Sequence, residues 1–201
     1  MSTSVAVVKY NAGNIRSVVC ALARLGVDAV VTDDAKVLRS AARVVFPGVG
    51  EASSAMRYLH HSHLDEILVT LEQPFLGICL GMQLMGSFSE ENHTGCLGIF
   101  KAPVVRFPQI TGFKVPHMGW NTIKNTGSPL FEGIKEPAWF YFVHSYYVPL
   151  CTETAATCTY GNIEFSAALS QENFTGVQFH PEKSGKPGAL VLESFLARGA
   201  L

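Results

Sequence analysis

Two short stretches of this sequence bring together the residue types that thiol chemistry needs. In Gly77-Ile78-Cys79-Leu80-Gly81 a cysteine sits between glycines, directly after the apolar run Pro74 to Ile78. This is the thiol counterpart of the G-x-S-x-G nucleophile elbow. The turn is sharp, and a Cβ at either glycine position would collide with a neighbouring strand or helix. The sulfur is then expected at the carboxyl end of a sheet, beside a helix N-terminus that favours a thiolate. The N–H of Leu80, among the first free donors of that helix, is placed to bind an oxyanion.

The second stretch is Gly176-Val177-Gln178-Phe179-His180-Pro181-Glu182. A thiol nucleophile needs an imidazole to take its proton and later to protonate a leaving amine, and His180 ends an apolar strand where it can reach a cleft. Pro181 holds His180 extended. Residues two apart in such a segment point the same way, which lets Glu182 orient the imidazole. Each stretch alone has a bland reading: a small buried cysteine, or a surface histidine beside a solvated glutamate. Their conjunction in one short chain favours catalysis.

Together Gly77 to Gln83 and Val177 to Glu182 resemble the two signatures of the class I (triad-type) glutamine amidotransferases over the whole chain. The resemblance implies one flavodoxin-like α/β domain over residues 1–201, with Cys79 as nucleophile, His180 as general base and acid, and Glu182 as orienting carboxylate. It makes Pro47-Gly48-Val49-Gly50 an oxyanion loop, with a backbone donor at Val49 or Gly50 beside that of Leu80. It assigns glutamine binding to Gly48, Gly50, Gln83, His144, Ser145 and Tyr146, and calls for no cofactor or metal.

Within that family three more stretches, Asn11 to Ile15, Pro116 to Asn121 and Tyr141 to Tyr146, are similar to the glutaminase subunits of imidazole glycerol phosphate synthase, as is His180 to Ser184. The implied partner is a (β/α)₈ cyclase subunit that uses the ammonia in histidine biosynthesis, giving imidazole glycerol phosphate and AICAR. Asn14, Trp120 and Lys183 are the implied interface residues. The alternative is the glutaminase of another synthase, such as that of pyridoxal phosphate. No Walker A string and no G-x-G-x-x-G follows the first strand, so an acceptor site is expected on another polypeptide.

These side chains need a scaffold, and the first half of the chain alternates strand and helix. Strands are expected at Ser4 to Tyr10, Asp28 to Thr32, Arg43 to Phe46 and Pro74 to Ile78. Helices are expected from Asn14, as cap, to Leu25, from Asp34 to Ala41, from Glu51 to Leu71 with a break near Ser62, and from Leu80 to Met85. Near-continuous apolar strands joined by helices mean a mostly parallel sheet covered on both faces. The second half adds strands at Ile99 to Phe107, Gly119 to Lys124, Trp139 to Val148 and Ala155 to Tyr160. An antiparallel hairpin of Glu164 to Leu169 and Thr175 to Phe179 follows, then a closing helix from Pro187 to Arg198.

Bulk properties narrow the field. With 201 residues, 48% of them hydrophobic, 15% charged and a net charge of -1, the chain suits one sizeable core and offers no nucleic-acid or polybasic membrane footprint. Met1-Ser2-Thr3-Ser4 runs straight into an apolar strand, so no signal peptide is expected. Five cysteines without paired spacing predict reduced thiols and a cytoplasmic location, with Cys20 and Cys96 structural. His60, His61 and His63 read as a solvated helix end, not a zinc site.

Overall fold

The computed structural model describes residues 4–109 and 114–197. Its first half follows the alternation read from the sequence: β1 (Val5–Val8), α1 (Ile15–Arg24), β2 (Ala29–Thr32), α2 (Ala35–Ser40), β3 (Arg43–Phe46), α3 (Ala52–His61), α4 (Leu64–Leu68), β4 (Phe75–Ile78) and α5 (Leu80–Leu84). Asp34 caps α2 by accepting from the N–H groups of Lys36 and Val37. The expected break after α3 falls at Ser62, and His63 takes a left-handed conformation, φ 55°, before α4 begins.

The second half holds β5 (Phe88–Ser89), β6 (Thr94–Gly95), β7 (Pro103–Arg106), β8 (His117–Thr122), β9 (Lys124–Asn125), β10 (Trp139–His144), β11 (Tyr146–Tyr147), β12 (Thr154–Tyr160), β13 (Ile163–Gln171), β14 (Phe174–Val177) and α6 (Gly185–Ala197). The main sheet runs β2-β1-β3-β4-β14-β13-β12-β9. Its first five strands are parallel, and β13 then reverses against β14 in the expected hairpin. Successive residues of β1 face opposite cores, Val5 and Val7 on one side and Ala6 and Val8 on the other. That explains why the strand reads as unbroken apolar sequence.

Several expected strands are shorter or differently divided. Ile99 to Phe107 is strand only from Pro103 to Arg106, because the preceding residues wrap the end of α5, with Phe100 N–H donating to Met85 O at 2.8 Å. The Trp139 to Val148 run divides at Ser145: β10 pairs antiparallel with β8, while β11 leaves for β7 in a small separate sheet. The closing helix starts at Gly185 rather than Pro187, and its expected end at Arg198 lies outside the described residues. The consequence for the site is that β4 and β14, the two strands that lead to Cys79 and His180, lie side by side in register.

Candidate active site

The cysteine stands on a strained turn. Cys79 has φ 53° and ψ −109°, a backbone that side chains rarely adopt, and it is pinned by its N–H to Val177 O at 2.8 Å and by Gln83 N–H to its carbonyl at 3.1 Å. Three glycines make the turn possible. A Cβ on Gly81 would lie 1.9 Å from Phe46 O, one on Gly77 would lie 2.5 Å from Met85 Sδ, and one on Gly176 would lie 2.6 Å from Met82 Cγ. Gly77 and Gly176 are register partners on β4 and β14, so the pair forms one flat place on which α5 rests.

His180 follows β14 and is locked by its backbone. Its N–H donates to Tyr141 O at 2.9 Å, and its carbonyl accepts from the Ser184 hydroxyl at 2.6 Å. Its Nδ1 lies 2.8 Å from Glu182 Oε1, both side chains fully enclosed. The pairing was expected; its backbone basis was not. Pro181–Lys183 is a 3₁₀ turn, not extended chain, so the carboxylate returns to the imidazole by curling. Gly188 of α6 packs that turn so closely that a Cβ there would lie 2.1 Å from Pro181 O.

A third partner was unforeseen. Asn14 stands at the N-cap position of α1 but makes no cap bond; its Nδ2 donates to Glu182 Oε1 at 3.2 Å and the residue is buried. The cap reading gives way because a buried carboxylate without donors costs more than an uncapped helix end.

Electrostatics follow from this geometry. Burial works against a charged His180, but its interactions with the Cys79 sulfur and the Glu182 carboxylate outweigh that and raise the imidazole to about 10. Burial likewise pushes the Glu182 carboxyl up, yet the bonds from His180 and Asn14 hold it below the usual range. His180 Nε2, the ring nitrogen that Glu182 does not use, has no hydrogen bond of ordinary geometry, although the Cys79 sulfur interacts with the ring closely enough to help raise it. It is the atom free to exchange a proton.

A cavity of about 270 Å³ opens beside the sulfur, lined by Val49, Gly50, Leu80, Gln83, His144, Ser145 and Tyr146 among others. The expected pocket residues thus converge, with Gly48 just behind: a Cβ there would lie 2.6 Å from Tyr10 Oη and 2.6 Å from Gly81 N. Glu91 also lines the cavity and accepts from Ala52 N–H at 2.7 Å. Sequence reasoning missed it, since an acidic residue in a polar loop carries no signal. The N–H of Leu80 is not free: it donates to Gly48 O at 3.2 Å. A carbonyl oxygen thus occupies the position from which an oxyanion would draw that donor, and Gly50, at φ 115°, follows in the same loop.

Behind His144 runs a second polar chain. His144 Nδ1 lies 2.7 Å from Tyr146 O, an atom that only accepts, so Nδ1 carries the hydrogen and Nε2 accepts. His117 Nδ1, 2.9 Å from that Nε2, must then donate, leaving its own Nε2 to accept from Asn121 Nδ2 at 3.4 Å. Both rings are neutral. Burial lowers His117 to about 4; burial, with His117 and His180 adding, outweighs the Tyr146 bond and lowers His144 to about 3.

The expected interface residues lie near one another. On β8 and β10, whose opposite faces enter the core, Met118, Trp120 and Trp139 are exposed at 62%, 54% and 53%. Lys183 sits 5.7 Å over the Tyr141 ring, which meets Trp120 edge-on at 6.0 Å. Asn14 joins them only through the Glu182 turn. Of the three histidines at the end of α3, two are tied locally, His60 to Asp65 at 2.6 Å and His63 to Glu66 at 3.8 Å.

Comparison with known proteins follows the same lines. The class-I glutamine amidotransferase family model matches residues 6–198. The imidazole glycerol phosphate synthase subunit HisH of Bacteroides thetaiotaomicron is 60% identical over 193 residues, covering 96% of this chain and 98% of that protein. The protein of the same name from Bacteroides fragilis (strain ATCC 25285) is 57% identical with the same coverage. Among solved structures, a putative GMP synthase component from Thermoplasma acidophilum shares the fold, with TM-score 0.74, 20% identity, and coverage of 98% of this chain and 94% of that one.

Proposed function

This chain belongs to the class-I glutamine amidotransferases, and from that premise we propose that Cys79 is the nucleophile that releases ammonia from L-glutamine. It is the glutaminase subunit of an imidazole glycerol phosphate synthase. The observation that carries the residue assignment is the line of buried side chains Cys79, His180, Glu182 and Asn14, each tied to the next by hydrogen bond or electrostatic interaction.

In the proposed reaction the Cys79 sulfur attacks the side-chain amide carbon of glutamine, forming a C–S bond and an oxyanion. His180 gives its proton to the departing nitrogen, the C–N bond breaks, and a γ-glutamyl thioester remains. Water, deprotonated by His180, attacks that thioester; the C–S bond breaks and glutamate leaves. Gln83, His144, Ser145 and Tyr146 hold the substrate, and the Glu91 carboxylate suits its ammonium group. Oxyanion donors at Leu80 and at Val49 or Gly50 require the Gly48–Val49 peptide to turn away from Leu80, because its carbonyl now takes that N–H. The loop therefore acts as a brake.

Ammonia passes to a (β/α)₈ cyclase subunit docked on the exposed apolar face of β8 and β10 around Trp120 and Lys183, with Asn14 communicating through Glu182. One catalytic domain spans the chain. No helix among the described residues is long and apolar enough to cross a membrane, and five free cysteines favour the cytoplasm. The names of the two relatives leave the pyridoxal phosphate alternative without support.

The test is Cys79→Ala, assayed with the cyclase subunit. Synthesis from glutamine should be abolished while synthesis from added ammonia persists. Retention of glutamine-dependent synthesis would refute the assignment.

A further inference from the structure

Gln178 is fully buried behind Gln83 and Cys79, both of which line the glutamine pocket, and the orientation of its amide is fixed by one backbone carbonyl. Tyr146 O accepts from Gln83 at 2.8 Å, so the Gln83 atom there is its nitrogen. The same nitrogen has a second N–H, and the Gln178 atom 2.9 Å from it must accept; it is Oε1. Gln178 Nε2 is thereby turned to the Cys79 sulfur at 3.6 Å. The Gln178 main chain is anchored too, its N–H donating to Ala167 O at 2.8 Å. The donor therefore points at the sulfur before any substrate arrives.

We propose that Gln178 is a further catalytic residue, whose amide N–H holds the Cys79 sulfur in its charged form and links it through Gln83 to the pocket that receives the glutamine side chain. A hydrogen bond to an ionised acceptor is worth more than one to a neutral group, so this donor favours the sulfur once its proton has gone to His180. It acts again in the second half of the reaction. When water adds to the thioester and the C–S bond breaks, the electron pair stays on sulfur, and the N–H of Gln178 faces that charge. A neutral Cys79 thiol has a different partner, Val143 O at 3.9 Å, which accepts and gives nothing to the thiolate. The alternative is that Gln178 only fills a polar gap behind Gln83.

The proposal rests on the glutaminase reading, and the experiment separates the two. Gln178→Glu is the deciding variant: it keeps the shape and an acceptor for Gln83 but replaces the donor with a carboxylate oxygen. Gln178→Leu is its apolar companion. With the full chain, the rate of Cys79 alkylation by iodoacetamide is followed against pH, and glutamine hydrolysis is measured with the cyclase subunit and its nucleotide. For Gln178→Glu, with a thermal midpoint close to wild type, the alkylation profile should move to higher pH by about one unit or more. Its kcat should fall by about tenfold to a hundredfold, with KM changed far less. An unchanged alkylation profile and kcat would overturn the role of Gln178 while leaving the triad untouched. Wild type that hydrolyses no glutamine even with the partner would overturn both.

Discussion

Replacing Gly81 by Ala puts the elbow under a load that can be worked from the packing. The added Cβ would lie 1.9 Å from the carbonyl oxygen of Phe46, where 3.0 Å is the closest approach real Cβ atoms make, so α5 and β3 must separate by more than 1 Å. The obstacle is backbone, so no side chain can rotate out of the way. Overpacking of this kind costs about 1–3 kcal/mol, and a rigid partner places it at the upper end. For a chain of this size about 3 kcal/mol lowers the melting temperature by roughly 6–12 °C. The functional loss should be larger in proportion, because α5 carries the Leu80 N–H and frames Cys79; a displacement of about 1 Å costs on the order of a hundredfold in rate. Thermal unfolding and glutaminase assays in the presence of the cyclase subunit read the two effects. Wild-type stability together with wild-type kcat would refute the claim that the elbow is held by this contact.

Two further outcomes follow from the buried histidines and the proposed oxyanion loop. His117 and His144, held neutral with values of about 4 and about 3 against 6.5 in the unfolded chain, contribute stability that is full above pH 6.5 and lost as pH falls toward those values. For His117 alone this is about 3 kcal/mol. His180, raised to about 10, contributes stability that is full below pH 6.5 and lost as pH rises through about 10. Denaturant midpoints measured across pH should therefore fall on both sides of neutrality, with His117→Gln flattening the acid limb; a level acid limb in the wild type contradicts this. Because Gly48 O occupies the Leu80 N–H, the chain alone should hydrolyse glutamine slowly and be stimulated strongly by the cyclase subunit with its nucleotide. Full activity without the partner would show that the loop is no brake.

Much of this architecture was legible in the residues because the forces behind it are local. The parallel half of the sheet announced itself through short β-branched runs punctuated by glycine and by helix stripes, and Gly77-Ile78-Cys79-Leu80-Gly81 through its glycines, its place after an apolar strand and its conjunction with His180-Pro181-Glu182. What could not be read depends on contacts distant in sequence. Asn14 looked like a helix cap, yet its amide serves Glu182, 168 positions away. The run from Trp139 to Val148 looked continuous, but its division between two sheets is decided by partners on β8 and β7. Gln178 did carry a signal, a polar residue between Val177 and Phe179 at the end of an apolar strand. Only the geometry reveals that its amide faces Cys79 while Gln83 holds the other end. The closing of the Leu80 donor by Gly48 is likewise a matter of one peptide's orientation, invisible in residue types.

The central claim is that one of five thiols is a nucleophile made for glutamine. The most direct measurement is labelling of the full chain, mixed with the cyclase subunit, by the glutamine-analogue electrophile 6-diazo-5-oxo-L-norleucine, followed by peptide mass analysis. A single adduct on Cys79, slowed by excess L-glutamine and lost in His180→Asn, is the predicted result. Labelling that spares Cys79, or that spreads to Cys20, Cys96, Cys151 or Cys158 at comparable rates, would contradict it.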